Sequence, residues 1–434
     1  MRINKFSELK SYFLDNTSTR QTILKNTFWL TIAELFSKAL TYMVLVLMAR
    51  HFDYTTFGKF SFALSFVTIF TVFSDIGFST FVVNELSKDK SKIIQYIDNI
   101  IVIKAVLGVI LLGSIFFTAQ FINDQIVVQL IYLLAVYSIL NAFGIFFYSI
   151  FQANEKMEYE TIGRVCQQVS LLTLVLFFIS RNGSIITMGY SYVVSVIVAL
   201  AFYLFIIWNY FSKFFLKINL QYCWHIIKGT WAFGLVLIFN TLYHQIDMVM
   251  LALTKGYSAA GIYNVAQWLP LGLLIFPLIL GGALFPKMSY FYKFSEDSLK
   301  KLYIKYFKCM SILGLAMGIL VVLSADIFIS LFFGAKYSAS TIVLKIYIWS
   351  SVLVFIDSAF INLLCAIGKQ SVVVKILGVT IILNFILNFI FINKYSYVGA
   401  SIVAVISEAI VAISAFFVVS QTPYGFFVKN KKIS

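Results

Sequence analysis

Twelve long apolar runs dominate this chain of 434 residues and constrain its fold more than any other feature. Each run is long enough to cross the hydrocarbon core of a bilayer, which takes about 20 apolar residues in a helix. The runs are apolar on all sides and do not alternate with period two, so they predict helices and not the strands of a membrane barrel. They fall near residues 26–49, 57–81, 99–121, 126–152, 162–180, 185–208, 229–252, 259–286, 304–333, 339–366, 371–392 and 397–420.

The composition favours the same class of protein. Hydrophobic residues make up 61% of the chain and charged residues 12%, about half the charged fraction of a soluble domain. A water-soluble globular protein, a disordered chain and a disulfide scaffold are therefore excluded. Twelve spans and their short loops use nearly all the residues, so no soluble catalytic or nucleotide-binding domain of ordinary size fits. We expect an all-α polytopic membrane protein.

The formal charge of +15 is better explained by membrane topology than by a nucleic-acid partner. The 33 Lys and Arg residues lie mainly in short loops between the apolar runs. With the N-terminus inside, 21 of them fall in inner segments and 6 in outer segments, which is the positive-inside pattern. The sequence therefore predicts cytoplasmic N- and C-termini.

A short motif recurs at the same topological place in each half of the chain. Tyr54, Gly58, Phe60 and Ala63, near the start of the second span, recur 203 residues later near the start of the eighth as Tyr257, Gly261, Tyr263 and Ala266. Six spans separate the two copies, so both face the same side. The pattern predicts two six-helix lobes related by a pseudo-two-fold axis along the membrane normal.

This organisation sets the predicted domain boundaries. The N-lobe covers residues 26–210 and the C-lobe covers residues 229–420. A cytoplasmic linker, residues 211–228, joins them. Residues 1–25 form a cytoplasmic leader and residues 421–434 a cytoplasmic tail.

The eighth span is the best candidate for a broken or bent helix. It contains Pro270, Pro277 and the pair Gly281-Gly282. Proline lacks the N–H that continues a helix, and kinks concentrate at proline and glycine. The sequence therefore predicts a discontinuity within residues 259–286.

Charged residues within the spans are candidates for function, because a charge at mid-helix costs about 2.5–3.5 kcal/mol on insertion scales. Glu34 and Lys38 share a face of the first span, as a self-neutralising ion pair or as cavity residues. Lys104 either reaches back to the cytoplasmic interface or faces a cavity. His244 and Asp247 share a face of the seventh span and are near enough to bond, in a structural or a functional role.

The last three spans carry a further polar set: Lys345 and Asp357 in the tenth, Lys375, Asn384 and Asn388 in the eleventh, and Glu408 in the twelfth. Cations suit an anionic substrate such as a phosphate, and carboxylates within a membrane suit ion or proton coupling. The predicted substrate-binding residues are Lys38, Lys104, Lys345, Lys375, Asn384 and Asn388. The predicted coupling residues are Glu34, His244, Asp247, Asp357 and Glu408.

Sequence motifs for covalent or cofactor chemistry do not occur. The chain has no G-x-x-x-x-G-K-[S/T] loop, no G-x-S-x-G and no H-E-x-x-H. Its four cysteines form no C-x-x-C pair, and its three histidines are far apart, so neither residue type has the spacing of a metal site. We expect no cofactor, no metal and no enzymatic activity.

Short segments along nearly the whole chain carry a family resemblance. They are Asn26-Thr27-Phe28-Trp29, Arg50, Phe57-Gly58-Lys59-Phe60, Ser74-Asp75-Ile76-Gly77-Phe78, Gln245-Ile246-Asp247-Met248-Val249-Met250, residues 260–266, Leu284-Phe285-Pro286, Asn384 with Asn388, Val398-Gly399-Ala400-Ser401 and Ser407-Glu408. In these segments the chain resembles the polysaccharide flippases of the O-antigen translocase type, within the multidrug/oligosaccharidyl-lipid/polysaccharide exporter superfamily. It departs from them at Asn84, where the family often has an arginine.

The resemblance implies two lobes around a V-shaped cavity that opens to alternate sides of the membrane. It also implies the substrate, a lipid-linked oligosaccharide on an undecaprenyl pyrophosphate carrier, moved from the inner to the outer leaflet of a bacterial cytoplasmic membrane. Membrane lipids, a polysaccharide polymerase and a chain-length regulator are the other expected partners.

Two alternatives stay open at this point. One is an ion-coupled exporter of drugs or small amphiphiles on the same fold. The other is a membrane polysaccharide polymerase or ligase, which predicts a long outer loop with catalytic arginines or carboxylates. The longest loops of this sequence have about 20 residues and lie on the predicted cytoplasmic side.

Overall fold

The computed structural model describes residues 19–211 and 218–425, which contain helices and no strand. These residues form two compact units. The first comprises the described residues of Met1–Phe52 and Ala63–Thr241, and the second those of Asp53–Phe62 and Leu242–Ser434. The predicted all-α fold class is confirmed.

Thirteen α-helices are numbered along the described residues. Those of the first half are α1 (Thr19–His51), α2 (Tyr54–Thr71), α3 (Phe78–Lys88), α4 (Ile93–Ala119), α5 (Gln125–Ala153), α6 (Met157–Ser180) and α7 (Ile185–Ile206). Those of the second half are α8 (Leu220–Lys255), α9 (Tyr257–Leu273), α10 (Ile275–Phe294), α11 (Glu296–Phe332), α12 (Ser340–Ala366) and α13 (Gln370–Ser420). Short 3-10 turns cover Val72–Asp75, Lys90–Lys92 and Ala335–Tyr337, and a π-helical turn covers Ile207–Phe211.

Ten helical stretches among the described residues are long and apolar enough to cross a membrane. The longest, α13, has 51 residues and covers both the eleventh and the twelfth predicted spans. A straight helix of that length would measure about 76 Å, more than twice the hydrocarbon thickness of about 30 Å. Ser396, with a non-helical φ of 53°, divides α13 between the two spans. Helix α8 covers the seventh predicted span. Each of the twelve predicted spans is thus covered by one described helix or by two consecutive ones.

The predicted discontinuity of the eighth span is confirmed. Helix α9 ends at Leu273 and helix α10 begins at Ile275. Pro277 has no N–H to donate to the carbonyl of Leu273, and its ring would clash with that carbonyl in a continuous helix. The break therefore follows directly from the position of this proline.

The second span is also broken, which the sequence did not predict. Helix α2 ends at Thr71, and Gly77 adopts a φ of 77° just before α3 begins. The Asp75 carboxylate accepts hydrogen bonds from the backbone N–H of Ser79 at 3.3 Å and from its hydroxyl at 2.7 Å. Glycine is favoured at position 77 because residues with a Cβ rarely adopt this φ. The predicted range 57–81 therefore contains the end of one helix and the start of another.

Apolar side chains cover the outer faces of both units. Val109 is 70% exposed and Leu323 is 75% exposed, although both lie within long helices. Each unit also has a closely packed interior, which includes Tyr203 in the first and Phe355 in the second. Exposed apolar faces of this extent are expected of helices surrounded by lipid.

The two copies of the repeat pack against each other within the second unit. A Cβ atom on Gly58 would overlap the carbonyl of Tyr257, and one on Gly261 would overlap the carbonyl of Tyr54. The contact is reciprocal: the glycine of each copy packs against the tyrosine carbonyl of the other copy, as equivalent positions do across a two-fold axis. Small residues at such crossings let two helix backbones approach closely.

The predicted lobe boundaries stay predictions. Residues 1–18 of the leader, 212–217 of the linker and 426–434 of the tail lie outside the described residues. Helix α8 begins at Leu220, inside the predicted linker of residues 211–228.

Replacing Gly58 with alanine is expected to destabilise the protein by about 1–3 kcal/mol, because the added methyl group must push a backbone carbonyl away. Gly113→Ala in α4 is the matched control, since nothing lies within 4 Å of the place that its added Cβ would take. There the better helix propensity of alanine should stabilise the protein by up to about 1 kcal/mol. Thermal unfolding of the purified variants in detergent measures both effects, and equal shifts would contradict the close crossing.

Candidate functional site

Asp247 lies at the centre of a buried hydrogen-bond cluster in the second unit. Its carboxylate accepts hydrogen bonds from the hydroxyl of Tyr263 and from the side-chain amide of Gln267, the latter at 3.2 Å. The backbone N–H of Met248 donates a third at 2.8 Å. The predicted bond to His244 is not among these partners, although both residues belong to the described helix α8. The side-chain donors to Asp247 are instead Tyr263 and Gln267 of the neighbouring helix α9.

Glu408 is the second buried carboxylate of this unit. It is only 9% exposed, and it accepts a hydrogen bond from the Tyr243 hydroxyl at 2.8 Å. Asp357, which is 2% exposed, interacts electrostatically with Glu408. Among the described residues the Asp357 side chain has no hydrogen-bond donor or cation as a partner. Three helices, α8, α12 and α13, therefore bring a tyrosine and two carboxylates together.

The two asparagines of the eleventh span form a buried chain of hydrogen bonds that ends at Ser407. Asn388 donates a hydrogen bond to Asn384 at 3.0 Å, and Asn384 donates one to Ser407 at 3.0 Å. Ser407 directly precedes Glu408 in the chain. The side-chain oxygen of Asn388 is buried and has no hydrogen-bond partner among the described residues. Two predicted substrate residues thus form a buried polar chain of their own, which ends one residue before the predicted coupling residue Glu408.

In the first unit, Glu34 and Lys38 form the predicted ion pair at 3.1 Å. The other oxygen of Glu34 lies 3.2 Å from the guanidinium of Arg164, which also contacts Glu160 at 2.7 Å. The Arg164 guanidinium lies over the ring of Tyr148, 4.7 Å from its centroid. The pair predicted from the sequence is therefore one half of a four-residue ionic network.

Lys104 does not reach back to the membrane interface, so that interpretation is wrong. It is 1% exposed, and its amino group lies 3.3 Å from the carboxylate of Asp75 and 3.0 Å from the carbonyl of Ser74. The ring of Phe78 lies under the amino group at 5.7 Å. Both oxygens, that of the Ser74 carbonyl and that of the Asp75 carboxylate, lie in the break between α2 and α3. The Lys104 amino group is therefore paired inside the protein and not hydrated at the membrane interface.

Three predicted site residues remain: Lys345, Lys375 and His244. Lys345 pairs with the exposed Asp326 at 2.7 Å. Lys375 is exposed on α13, and His244 is half-buried with its ring 5.3 Å from that of Tyr243. Three of the four predicted substrate lysines therefore have a carboxylate partner.

Several residues of these clusters were missed from the sequence. Tyr263 had a signal, because it belongs to the repeat and replaces Phe60 of the first copy with a residue that carries a hydroxyl. Gln267 follows it by one helical turn. Tyr243 pairs with Glu408 across 165 residues and Arg164 with Glu34 across 130, and no local pattern predicts contacts at that separation.

The polar side chains of these clusters form hydrogen bonds and ion pairs. Among the described residues, no group of three or more His, Cys, Asp or Glu side chains is arranged to hold a metal ion. The donors and acceptors are carboxylates, tyrosine hydroxyls and amides, buried within helices of membrane-spanning length. Ionisable residues in such surroundings characteristically mark ion, proton or substrate pathways.

The described helices that are long and apolar enough to cross a membrane define a multi-pass membrane protein. A family model described as polysaccharide biosynthesis protein matches residues 23–292, which is more than half of the chain. The chain therefore belongs to the polysaccharide biosynthesis protein family, and the resemblance stated from the sequence is confirmed.

Two relatives carry names that fit this family. The capsular polysaccharide biosynthesis protein CapF of Staphylococcus aureus is 23% identical over 411 residues, covering 91% of this chain and 98% of CapF. The putative O-antigen transporter of Escherichia coli K12 is 23% identical over 416 residues, covering 91% of this chain and 96% of that protein.

Solved structures share the fold. The lipid II flippase MurJ, in an inward closed conformation, matches with a TM-score of 0.71 at 17% identity, covering 90% of this chain and 87% of MurJ. A MATE-family multidrug transporter of the MOP superfamily, facing inward, matches with a TM-score of 0.71 at 14% identity, covering 88% of this chain and 93% of that protein. Family and fold together support a membrane flippase or exporter.

Removing Lys104 should destabilise the protein strongly, because Lys104→Met leaves the Asp75 carboxylate, whose side chain is only 15% exposed, without its cation. Breaking a buried ion pair in this way costs about 3–5 kcal/mol. Lys345→Met makes the same substitution in an exposed pair and should cost about 1 kcal/mol or less. Thermal unfolding in detergent compares the two variants.

The double variant Lys104→Met/Asp75→Asn is the further test, since it removes both charges. It should recover part of the stability lost in Lys104→Met. A double variant less stable than the single one, or equal losses for Lys104→Met and Lys345→Met, would contradict the ion pair.

Proposed function

We propose that this protein is a flippase for a lipid-linked oligosaccharide. Its substrate is an undecaprenyl-pyrophosphate-linked repeat unit of an O-antigen or capsule type, moved from the inner to the outer leaflet of a cytoplasmic membrane by alternating access. The observation that carries the proposal is the combination of membership in a polysaccharide biosynthesis family with carboxylates buried in membrane-length helices. The names of CapF and of the O-antigen transporter support the substrate class.

The proposed contacts to the substrate are those of Lys38, Lys104, Lys345 and Lys375 with phosphate or acidic sugars, and of Asn384 and Asn388 with polar groups. Three of the lysines pair with carboxylates here. A bound phosphate would therefore have to replace a carboxylate at each of them. Such an exchange makes phosphate binding and a change of conformation interdependent, as alternating access requires.

The proposed coupling residues are Asp247, Asp357 and Glu408, with Glu34 and His244 as further members. One charge that crosses a potential of about 100 mV contributes about 2.3 kcal/mol, which biases two states roughly 50-fold. Asp357 and Glu408 support this role because two neighbouring buried carboxylates are costly to ionise together. Uptake and release of a proton or another cation would relieve that cost in turn.

An exporter of drugs or small amphiphiles is the second candidate, and the likeness to the MATE-family transporter favours it. A drug-resistance assay distinguishes the two candidates. Loss of resistance with intact surface polysaccharide in a deletion strain would favour the exporter.

A membrane polymerase or ligase has less support, because one relative is named as a putative O-antigen transporter and the structural neighbours are transporters or flippases. The inner-membrane location, the cytoplasmic termini and the polymerase and chain-length partners belong to the proposal.

Deletion of the gene should abolish surface polysaccharide and leave lipid-linked repeat units on the inner leaflet. The physical reason is that a polar saccharide does not cross hydrocarbon unaided. Chemical labelling of the two leaflets of membrane vesicles measures the distribution. Intact surface polysaccharide in a strain with no second flippase would contradict the proposal.

Coupling is tested with Asp247→Asn and Glu408→Gln in vesicles with an imposed ion or proton gradient. Each variant should lose the part of transport that depends on the gradient, up to about 50-fold. Glu296→Gln is the matched control, because Glu296 is exposed at the start of α11. Variants that export at wild-type rates and respond equally to dissipation of the gradient would exclude these residues from coupling.

A further inference from the structure

A cavity of about 740 Å³ lies within the first unit, inside the range of about 300–1,000 Å³ typical of small-molecule sites. Helices α3, α5 and α6 form it. The polar side chains that line it include Thr80, Asn84 and Ser87 from α3, Tyr148 and Gln152 from α5, and Arg164 from α6. None of the predicted site residues lines this cavity, but Arg164 connects it to the ionic network of Glu34 and Lys38.

The break in the second span creates the α3 wall of this cavity. Asp75 caps the start of α3 and is held by Lys104, as described above. Thr80, Asn84 and Ser87 follow at spacings of four and three residues, which place them on one face of the helix. The buried ion pair thus positions a row of neutral polar side chains along the cavity.

These side chains have hydrogen-bond donors and acceptors that are not used within the described part of the protein. Thr80 and Asn84 are exposed, and in the part of the chain that the structure describes neither side chain has a hydrogen-bond partner. The Ser87 hydroxyl donates to the carbonyl of Asn84 at 2.8 Å and can still accept. Hydroxyls and amides both donate and accept, which matches the hydroxyl groups of a sugar.

The charges beside the cavity cancel. Arg164 contacts Glu34 and Glu160, and Lys38 contacts Glu34, which makes two cations and two carboxylates. A phosphate that bound Arg164 would have to displace one of the two carboxylates that already pair with it, and the other would repel the phosphate. An uncharged, hydroxyl-rich group has no such penalty.

Stacking is not the mode of recognition that this cavity offers. Tyr148 is only 7% exposed. The Arg164 guanidinium covers one face of its ring, 4.7 Å from the centroid, and the ring of Tyr203 packs perpendicular to it with the centroids 5.3 Å apart. Gln152 donates to Glu160 at 2.8 Å, which helps to hold this side of the cavity in place. Since stacking on Tyr148 is excluded, the cavity can recognise a ligand through hydrogen bonds from the polar face of α3.

We propose that this cavity is a saccharide subsite, in which Thr80, Asn84 and Ser87 hydrogen-bond the hydroxyl groups of a sugar. The inference rests on the proposed function, because it takes the sugar to be part of the transported lipid-linked oligosaccharide. It assigns the sugar, and not the pyrophosphate, to the cavity between α3, α5 and α6. The phosphate then binds elsewhere, and the two parts of the substrate make separable contributions to affinity.

Two lipids distinguish these contributions: lipid-linked repeat units extracted from the source organism, and bare undecaprenyl pyrophosphate. Binding of each to the purified full-length protein in lipid nanodiscs is compared for the wild type, Asn84→Leu and Thr80→Val. Thr80→Val keeps the shape of the side chain and removes its hydroxyl. Asn123→Leu changes an exposed asparagine in the loop between α4 and α5 and is the control.

The wild type should bind the glycosylated lipid more tightly than the bare carrier. Asn84→Leu and Thr80→Val should each weaken binding of the glycosylated lipid about 3- to 10-fold, the effect of one or two lost hydrogen bonds. Binding of the bare carrier should change less than about twofold, and Asn123→Leu should change neither.

Three outcomes would overturn the inference while the proposed function stands. They are unchanged binding of the glycosylated lipid in both variants, equal losses for both lipids in Thr80→Val with unchanged thermal unfolding, and a wild type that binds both lipids equally. A wild type that neither binds nor moves the glycosylated lipid would instead overturn the proposed function.

Discussion

A charge or hydrogen-bonding group inside a membrane protein must find its partner within the protein, and this constraint determines much of the arrangement of both units. In the first unit the break at Asp75 and Gly77 would expose polar backbone, and Lys104 bonds both the carboxylate and the carbonyl of Ser74. Helix α3 begins from that break and carries the polar face of the cavity. In the second unit Asp247 and Glu408 depend on tyrosine hydroxyls in the same way. The fold therefore depends on the ion pair of Lys104 with Asp75 and on the two tyrosine hydrogen bonds, whether or not these contacts also have a role in function.

The same partners suit a transporter, because each can be exchanged. Glu34 contacts both Lys38 and Arg164, so a substrate that competes for either cation leaves the carboxylate with the other. Asp357 interacts electrostatically with Glu408 and among the described residues lacks a hydrogen-bond donor of its own, so the proposed mechanism assigns the binding of a proton or cation to this pair. In the proposed mechanism the substrate and the coupling ion each stabilise one arrangement of these partners over the other.

Much of the fold followed from the sequence, because membrane-length apolar runs and proline positions act locally. The twelve spans, the discontinuity within residues 259–286 and the pair of Glu34 with Lys38 all depend on neighbours within a few turns. The break at Asp75–Gly77 was missed because the apolar run continues through it, and only the capping bonds and the positive φ of Gly77 reveal it. The partners of Lys104, Glu408 and Arg164 come from distant parts of the chain, and no spacing rule could identify them. The predicted substrate and coupling residues, as functional assignments, stay predictions.

The most direct test of the account is transport by the purified protein in sealed vesicles that contain the extracted lipid-linked repeat unit. The saccharide that reaches the outer leaflet is measured by its accessibility to an added glycosidase that cannot enter the vesicle. We predict that the accessible fraction rises with time only when the protein is present, and that an imposed gradient increases it. An accessible fraction that stays the same with and without the protein, for a preparation shown to be folded by its thermal unfolding, would contradict the central claim.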